Sequence, residues 1–305
     1  MLTVSSATPL VSVLTTSYNR EAYIAETIES VLAQTMTDFE YIIVDDCSKD
    51  RSFEIACSYA AKDSRIQVFR NEPNLGDYPN RNKAASYATG KYLKYIDSDD
   101  VLYPHALDVG VRYMEMFPQA GLGLSKLHGQ DRPLPQVLSP LDAYKEHFFG
   151  AGLFSNAPGS VVIRRETFER VGRFSGKRMI GDFEMWLLLA RSSETALFPG
   201  LINWDRQHAG QESNFDQLAY AALHRDVALA AVSAAECPLD FTDRQRAQNR
   251  IRYQAARVGV YQFLRRLNPL KAVRFLRDSH CSFGDVVRAI GAAIPGLRRI
   301  PLFRN

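Results

Sequence analysis

The sequence predicts an α/β fold in which a mostly parallel sheet is flanked by helices, followed by a helical C-terminal extension. Short apolar segments alternate with amphipathic helical patterns up to about residue 214, an order that builds parallel strands through right-handed crossovers. Beyond that point the strand signals stop and Ala-rich helical patterns continue. We therefore expect a sheet-containing domain over residues 1–214 and a helical, basic region over residues 215–305.

The first hundred residues alternate regularly between strand and helix. Segments rich in Val, Ile, Leu and Tyr predict strands at residues 10–16, 39–44, 66–70 and 92–96. Helical patterns are predicted at residues 20–34, 50–61 and 80–88. Asn19 is the expected cap of the first helix, and Ser48 or Asp50 that of the second. Residues 71–80 contain two prolines and a glycine, which predicts a loop.

The pattern after residue 100 is less regular. Helices are predicted at residues 104–117, 165–171 and 182–191. Short strands are predicted at residues 161–163 and 196–202, and residues 121–154 are expected to be less regular.

Acidic residues follow the fourth predicted strand, in the segment Asp97-Ser98-Asp99-Asp100. Asp97 and Asp99 are two residues apart, so in extended chain both carboxylates would point to one side and repel each other. A cation between them would remove that repulsion, and oxygen ligands suit Mg²⁺ or Mn²⁺ bound to phosphate. The ends of the first two strands, at residues 15–16 and 45–46, would share this edge of the sheet, where α/β folds bind ligands.

Composition indicates an ordinary globular protein of the cytoplasm. Hydrophobic residues make up 46% and charged residues 23% of the 305 residues. The four cysteines show no metal-binding spacing, which favours reduced thiols, and the first nine residues lack the apolar core of a signal peptide. No apolar run reaches the length of a membrane span. The net charge of +3 does not indicate a nucleic-acid partner, and we expect none.

The C-terminal end carries a charge asymmetry. Residues 261–305 contain nine Lys or Arg and two Asp, a net charge of +7 against +3 for the whole chain. Apolar residues alternate with these charges, which predicts peripheral attachment to an anionic membrane surface, such as the inner face of the cell membrane. A basic helix packed on the rest of the protein, or a disordered end, is the alternative.

Several motifs occur in an order that is typical of one family. They include residues 9–19 (PLVSVLTTSYN), 41–48 (YIIVDDCS), 97–100 (DSDD), 159–165 (GSVVIRR) and 181–186 (GDFEMW). Over about two thirds of its length the chain resembles the family 2 inverting glycosyltransferases, which have the GT-A fold, a Rossmann-like sheet flanked by helices. The resemblance implies transfer of a sugar from a nucleotide donor. Residues 1–100 would then bind the nucleotide sugar and residues 101–214 the acceptor.

The resemblance also implies which residues bind the donor nucleotide. Asp46 would accept the N3–H of uracil or thymine, which makes a UDP- or dTDP-sugar the favoured donor. Thr16 and Tyr18 would line the base, and Tyr18 offers a stacking face. Arg81 would approach the base or the phosphates, and Asp97 would hold the ribose.

The cation site implied by the resemblance contains Asp99 as a direct ligand of Mn²⁺ or Mg²⁺. Asp97 would help to hold the metal, and His208 would complete the metal or diphosphate site. The cation would stabilise the charge that develops on the departing diphosphate.

Asp182 matches the catalytic base of the family, which deprotonates the acceptor hydroxyl. The family usually has Glu-Asp at this place, whereas this chain has Gly181-Asp182. Glu184 is a competing carboxylate two residues further on, and a helix N-terminal acid is the structural alternative for Asp182.

The function expected from these observations is inverting transfer to an acceptor hydroxyl, in surface polysaccharide or glycolipid assembly, with a saccharide or lipid-linked saccharide as acceptor. A catalytically inactive nucleotide-sugar-binding module is an alternative because the acid before Asp182 is missing. A sugar-nucleotide nucleotidyltransferase is another, although the loop at residues 16–20 lacks the glycines such enzymes use. A dehydrogenase is disfavoured because no Gly-x-Gly-x-x-Gly follows the first strand.

Overall fold

The computed structural model describes residues 8–126, 133–200, 202–208, 216–265, 269–279 and 281–293. The chain forms two compact units, residues 1–208 and residues 209–305. The sequence placed the boundary near residue 214, which lies outside the described ranges.

The first unit contains a large mixed sheet. Its strands, in chain order, are β1 (Val11–Ser17), β2 (Phe39–Asp45), β3 (Ile66–Arg70), β4 (Tyr92–Tyr95), β6 (Ala120–Lys126), β7 (Gln136–Leu138), β8 (Val161–Arg164) and β9 (Glu194–Pro199). Across the sheet they follow the order β3-β2-β1-β4-β8-β6-β9-β7. A separate antiparallel pair joins β5 (Val101–Leu102) to β10 (Asn203–Trp204).

Helices flank this sheet. They are α1 (Ile24–Leu32), α2 (Ser52–Ala60), α3 (Asp77–Tyr87), α4 (Ala106–Met116), α5 (Pro140–Phe149), α6 (Arg165–Arg170) and α7 (Gly181–Ser192). The strands β1 and β2 are buried along nearly their whole length, as expected for strands covered on both faces. Pairs β1–β2, β2–β3, β1–β4 and β6–β9 are parallel, whereas β8 is antiparallel to both of its neighbours. The predicted α/β class with a mostly parallel sheet is confirmed.

Residues 121–154 were expected to be less regular, and three elements in this part of the chain were not predicted. They are the strand β6, the short strand β7 and the helix α5. Two glycines in β6 weaken its strand signal, yet both are needed for packing. A Cβ at Gly123 would lie 2.7 Å from the Met114 sulfur, and one at Gly121 would overlap the Ser193 hydroxyl.

Two helices begin well away from their predicted starts, and neither Ser48 nor Asp50 is the N-cap of α2, which follows Arg51. The first helix, α1, begins at Ile24, and Asn19 does not cap it. Asn19 adopts a φ of 53°, and its side chain accepts a hydrogen bond from the Lys49 amide at 2.8 Å. The helix α3 begins at Asp77, inside the predicted loop, and includes Pro79 in its first turn, where a missing N–H is tolerated.

The second unit is helical in its described part. It contains α8 (Gln217–Ser233), α9 (Phe241–Leu264), α10 (Pro269–Asp278) and α11 (Phe283–Ala293). The helices α10 and α9 pack closely, since a Cβ at Gly259 would lie 2.6 Å from the Leu276 side chain. The predicted helical C-terminal region is confirmed. Among the helices described, none is long and apolar enough to cross a membrane.

Candidate active site

Three polar clusters meet at one edge of the sheet because their strands run parallel. Ser17 at the end of β1 pairs with Asp45 at the end of β2, and Leu14 pairs with Tyr95 at the end of β4. The chain continues from β2 in register, since the Asp46 amide donates to the Ser17 carbonyl at 2.7 Å. The segments that follow β1, β2 and β4 therefore border the same edge, as the sequence predicted.

The segment after β4 is a turn rather than extended chain. The strand ends at Tyr95, and the Asp100 amide donates to the Asp97 carbonyl at 3.0 Å. The carboxylates of Asp97 and Asp99 consequently have different partners, and the expectation that they share one side of a strand is wrong. The alternation rule does not apply because the backbone turns between them.

Asp97 is bound by a buried arginine of α3. Arg81 donates through Nη2 to Asp97 Oδ1 at 2.7 Å and through Nε to Asp77 Oδ1 at 2.7 Å. Burial alone would lower the pKa of Arg81, but the two carboxylates outweigh it and raise that pKa above its usual value. The Nη1 atom of Arg81 is buried and has no hydrogen-bond partner among the residues described. A buried charged donor without a partner is a natural place for an anionic ligand.

The Arg81 ion pairs should contribute measurably to stability. Replacing Arg81 by methionine leaves Asp97 and Asp77 without their partner, and we expect the free energy of unfolding to fall by about 3 kcal/mol. Urea denaturation measures this loss. The matched control is Arg112→Met, which breaks a pair of the same spacing with Asp108 on the surface of α4 and should cost less than about 1 kcal/mol. Equal losses of unfolding free energy in Arg81→Met and Arg112→Met would contradict a larger stabilising contribution from the buried Arg81 ion pairs.

Asp99 and His208, which the family resemblance implied for one cation site, are in contact. His208 Nε2 lies 2.9 Å from Asp99 Oδ2, and Arg20 Nε donates to the same oxygen at 2.9 Å. The His208 ring also packs against Tyr23, with 4.8 Å between ring centroids. Arg20 is a contact that the sequence reasoning missed, although its place just after β1 puts it at this edge.

These two side chains suit a divalent cation as a partial ligand set. In the described ranges no group of three or more His, Cys, Asp or Glu is arranged to hold a metal. Mg²⁺ in phosphate sites commonly takes one or two carboxylates and completes its shell with phosphate oxygens and water. The bonds to Arg20 and His208 both use Asp99 Oδ2, so Oδ1 can bind a cation, and His208 Nε2 can become a ligand once it releases Oδ2. The residues present therefore fit the implied metal.

Arg206 fixes the segment that carries His208. Its amide donates to Asp100 Oδ1 at 2.9 Å, its Nε to the Asp99 carbonyl at 2.8 Å, and its Nη2 to Glu26 at 2.5 Å. These bonds connect the chain after β10 to the turn after β4 and explain how a histidine more than a hundred residues away reaches Asp99.

Asp46 is buried and organises the loop before α3. Its Oδ1 accepts from Asn71 Nδ2 and the Leu75 amide, both at 2.8 Å, and its Oδ2 accepts from the Gly76 amide at 2.9 Å. A carboxylate offers about four acceptor positions, so about one remains for a donor on a base. Sequence reasoning missed this loop-holding role.

The other two residues that were expected to line the base lie beside this edge. Thr16 is the penultimate residue of β1 and is partly exposed. Tyr18 follows the strand, and 46% of it is exposed, so a face of its ring is open to a ligand.

Asp182 lies at the N-terminus of α7, against α3. Its Oδ1 accepts from the Phe183 amide at 2.7 Å, and its own amide donates to the Tyr78 hydroxyl at 3.1 Å. Burial raises the pKa of Asp182, although the Phe183 amide, the Arg81 charge and the Tyr78 hydroxyl oppose the rise. The competing carboxylate, Glu184, is bound to Ser175 and Lys177.

Lys94 is a second buried charge that the sequence reasoning missed, although a lysine inside an apolar strand was a visible signal. It is 0% exposed in β4 and donates to the Gly159 carbonyl. Burial lowers the pKa of Lys94 to about 7, although Asp205, Asp97 and Asp100 counteract this. The lysine therefore lies under the acidic edge of the sheet.

The Lys94 shift predicts a pH dependence of stability. Because the native pKa is about 7 and the ordinary value is 10.5, the unfolded chain binds a proton that the native protein lacks between these values. The free energy of unfolding should thus rise with pH across this window. The unfolding free energy of the wild type, compared with that of Lys94→Met, should rise by about 2 kcal/mol between about pH 8 and about pH 10. Urea denaturation at both pH values tests it. The exposed Lys62→Met should follow the wild type, and a Lys94→Met curve parallel to the wild type would contradict the prediction.

Comparison with known protein families identifies the class. The model of the Glycosyl transferase family 2 matches residues 12–172, and the chain belongs to this family. The Bacillus subtilis glycosyltransferase TuaG, whose name assigns it to teichuronic acid biosynthesis, is 34% identical over 201 residues, which cover 62% of this chain and 75% of TuaG. An uncharacterized glycosyltransferase of Methanocaldococcus jannaschii is 45% identical over 109 residues. That match covers 35% of this chain and only 38% of the relative.

Solved structures share the fold at low sequence identity. S. aureus TarS residues 1–349, in complex with UDP-GlcNAc, superposes with a TM-score of 0.69 at 18% identity, covering 94% of this chain and 83% of that one. The mannosyltransferase PcManGT of Pyrobaculum calidifontis, in complex with GDP-Man and Mn²⁺, gives a TM-score of 0.62 at 16% identity, covering 98% and 83%. The GT-A fold expected from the sequence is confirmed.

Proposed function

We propose that the protein is a metal-dependent inverting glycosyltransferase that moves a sugar from a UDP- or dTDP-linked donor to an acceptor hydroxyl, in surface polysaccharide or glycolipid assembly. The observation that carries the proposal is the arrangement around α3. The Asp46 carboxylate binds the amides that lead into this helix, and Arg81 of the helix binds Asp97. Tyr78 of the same helix binds the amide of Asp182. One helix thus connects the expected base, phosphate and acceptor sites.

The donor would lie along the edge of the sheet. Asp46 would accept from the base, and Tyr18 would stack on it. Arg81, with its unpaired Nη1, and Asp97 would face the ribose and phosphates. A pyrimidine N3–H fits the single acceptor position that remains on Asp46, although a guanine N1–H has the same polarity. TarS in complex with UDP-GlcNAc and PcManGT in complex with GDP-Man represent these two kinds of donor.

The cation would be held by Asp99 and His208, with support from Asp97. When bound, it neutralises the charge on the departing diphosphate. Arg20 adds a fixed positive charge at the same carboxylate and would limit the movement of Asp99.

Asp182 would remove the proton from the acceptor hydroxyl as that oxygen attacks the anomeric carbon. Inverting transfer requires one displacement and one base. The raised pKa of Asp182 suits this role, because a base with a pKa nearer to the working pH holds the transferred proton more firmly.

Nucleoside diphosphate release tests the proposed function. The protein is incubated with UDP-, dTDP- and GDP-sugars and Mn²⁺, with water or simple sugars as acceptors, and the released nucleoside diphosphate is measured. The anomeric configuration of the product is read by NMR. We expect release from a pyrimidine donor with inversion. Binding without release would favour the inactive module, and pyrophosphate formation from a nucleoside triphosphate and a sugar phosphate would favour the nucleotidyltransferase.

The second unit offers a surface for an anionic membrane. On α10, Leu270 and Val273 are 85% and 53% exposed and share a face with Arg274 and Arg277, at helical spacings of three and four residues. The opposite face of α10 is buried. Phe283, at the start of α11, is also 85% exposed. Apolar side chains among basic ones match the interface of an anionic bilayer. The predicted contributions of Arg266, Arg298, Arg299 and Arg304 lie outside the described residues.

Liposome flotation tests this surface. The double variant Leu270→Asp/Phe283→Asp should lose most of its binding to vesicles that contain phosphatidylserine, because each change removes apolar contact and adds repulsion, at about 1 kcal/mol or more per site. Phe241→Asp is the matched control, since Phe241 is 75% exposed but lies between Asp240 and Asp243. Equal flotation of the double variant and the wild type would contradict membrane attachment.

A further inference from the structure

Tyr78 fills the space beside Gly181, where family members usually carry an acid. A Cβ at Gly181 would lie 2.8 Å from two atoms of the Tyr78 ring. Gly181 does not have a positive φ, so the requirement for glycine comes from this contact and not from the backbone conformation. The departure from the family pattern at residue 181 therefore has a partner in the first turn of α3.

The hydroxyl of Tyr78 contacts the proposed base through the backbone of Asp182. It accepts from the Asp182 amide at 3.1 Å, one of the N–H groups that a helix N-terminus leaves unpaired. The hydroxyl also lies near the Asp182 carboxylate and lowers its pKa. Burial and the nearby charges of Asp182 and Asp77 raise the pKa of Tyr78 far above its usual value, so the hydroxyl keeps its proton at any working pH.

The ring of Tyr78 is held in place by its surroundings. Tyr78 is 5% exposed, and its ring packs on Phe174 with 5.1 Å between centroids. Asn82, one turn further along α3, donates to the Phe174 carbonyl at 2.8 Å and accepts from the Phe174 amide at 3.1 Å. The hydroxyl is therefore presented to Asp182 from a rigid support.

We infer that Tyr78 is the positioning residue of Asp182, and that it replaces the acidic neighbour that the family carries before this base. The inference rests on the proposed function, in which Asp182 is the base. Tyr78 fixes the start of α7 from the α3 side through the Asp182 amide, and it favours the ionised form of the carboxylate. A second acid at residue 181 would disfavour that form through like charge. The glycine at residue 181 then leaves space for the Tyr78 ring, and the site keeps a group that positions the base.

The first test removes the hydroxyl alone. In Tyr78→Phe, the ¹³C NMR titration of the Asp182 carboxyl, assigned with Asp182→Asn, should show a higher pKa than in the wild type. The other groups that face Asp182 from α3 are Arg81 and Asp77, and both remain in this variant. With an active donor, the acid limb of kcat/KM should move to higher pH, and kcat/KM at neutral pH should fall by about tenfold.

Tyr144→Phe is the matched control for this test. The Tyr144 side chain is buried, and its hydroxyl donates to the Leu187 carbonyl of the same helix, α7, at 3.1 Å. This variant should leave the Asp182 titration and the pH profile as in the wild type. An unchanged Asp182 titration in Tyr78→Phe would overturn the inference, as would an equal change in Tyr144→Phe.

The second test exchanges the two side chains. Gly181→Glu should lower kcat/KM by about 10²-fold, because the new side chain and the Tyr78 ring cannot occupy the same space. Adding Tyr78→Ala should recover part of that loss, so that kcat/KM of the double variant is higher than the value obtained by multiplying the two single effects. Independent effects of the two substitutions would overturn the steric part of the inference.

Failure of the proposed function can be told apart from failure of this inference. The NMR titration needs no turnover, and binding of UDP with Mn²⁺ is measured separately by thermal shift. A wild-type protein that releases no nucleoside diphosphate, but whose Asp182 titration responds to Tyr78→Phe, would reject the reaction and retain the contact. If the protein turns over the donor but the Asp182 titration does not respond to Tyr78→Phe, the reaction would be retained and the inferred contact rejected.

Discussion

Replacing Asp182 by asparagine is expected to lower turnover by about two to four orders of magnitude while nucleotide binding survives. Asparagine has nearly the same shape and can still accept from the Phe183 amide, but it cannot take the proton of an acceptor hydroxyl. The measurement is nucleoside diphosphate release at saturating donor, together with the thermal shift produced by the nucleotide and Mn²⁺.

Glu184→Gln is the matched control for this loss, because Glu184 is the other acid in the first turn of α7. Its carboxylate is bound by Ser175 and Lys177, so we expect turnover close to that of the wild type. A comparable loss of binding and turnover in Asp182→Asn would contradict the base assignment. A large loss confined to Glu184→Gln would transfer the role to that residue.

Replacing Asp99 by alanine is expected to abolish the Mn²⁺-dependent part of nucleotide binding and to lower turnover by about 10³-fold. The carboxylate is the anionic half of the pair with His208, and the cation that it would hold in the proposed function would contribute several kcal/mol to stabilising the leaving diphosphate. The measurement is nucleoside diphosphate release against Mn²⁺ concentration.

The Asp99 variant also frees Arg20 and His208, so its folding must be checked by its thermal unfolding without ligand. Asp108→Ala is the control for loss of a carboxylate from an arginine pair, since Asp108 pairs with Arg112 on the surface of α4. This control should keep its full response to Mn²⁺. Undiminished metal-dependent turnover in Asp99→Ala would remove Asp99 from the cation site.

The edge of the sheet could be predicted from sequence because it depends on local pattern. Segments rich in Val, Ile and Tyr predict strands that alternate with helices. Parallel strands bring their carboxyl ends to one edge of the sheet, independently of the conformation of the loops. In the structure Asp45 ends β2 and Asp46 follows it, and Asp97 to Asp100 come after β4, as the pattern required. The contact of His208 with Asp99 was expected from the resemblance to the family and not from any local signal.

The remaining features depend on contacts between distant residues, which a local pattern does not contain. The strand β6 was missed because Gly121 and Gly123 have low strand propensity, and only neighbouring side chains reveal why glycine stands there. Tyr78 and Gly181 are about a hundred residues apart, and neither segment alone shows that the two residues are in contact.

The site residues likewise divide into features predicted from a local motif and contacts that only the folded chain reveals. Asp46 was chosen for its motif, but its bonds to the loop before α3 follow from the way that loop folds back over β2. Arg20 was treated only as the start of a helix, and its bond to Asp99 appears once β1 and β4 are placed side by side.

Thermal unfolding with UDP, dTDP and GDP, each with and without Mn²⁺, tests the central claim most directly. A ligand at a hundred times its Kd stabilises the native state by about 2.7 kcal/mol. We predict that a pyrimidine nucleoside diphosphate raises the Tm only when Mn²⁺ is present, and that Asp99→Ala abolishes this rise. An unchanged Tm with every nucleotide and metal combination, or an equal rise in Asp99→Ala, would contradict a nucleotide–cation site at this edge of the sheet.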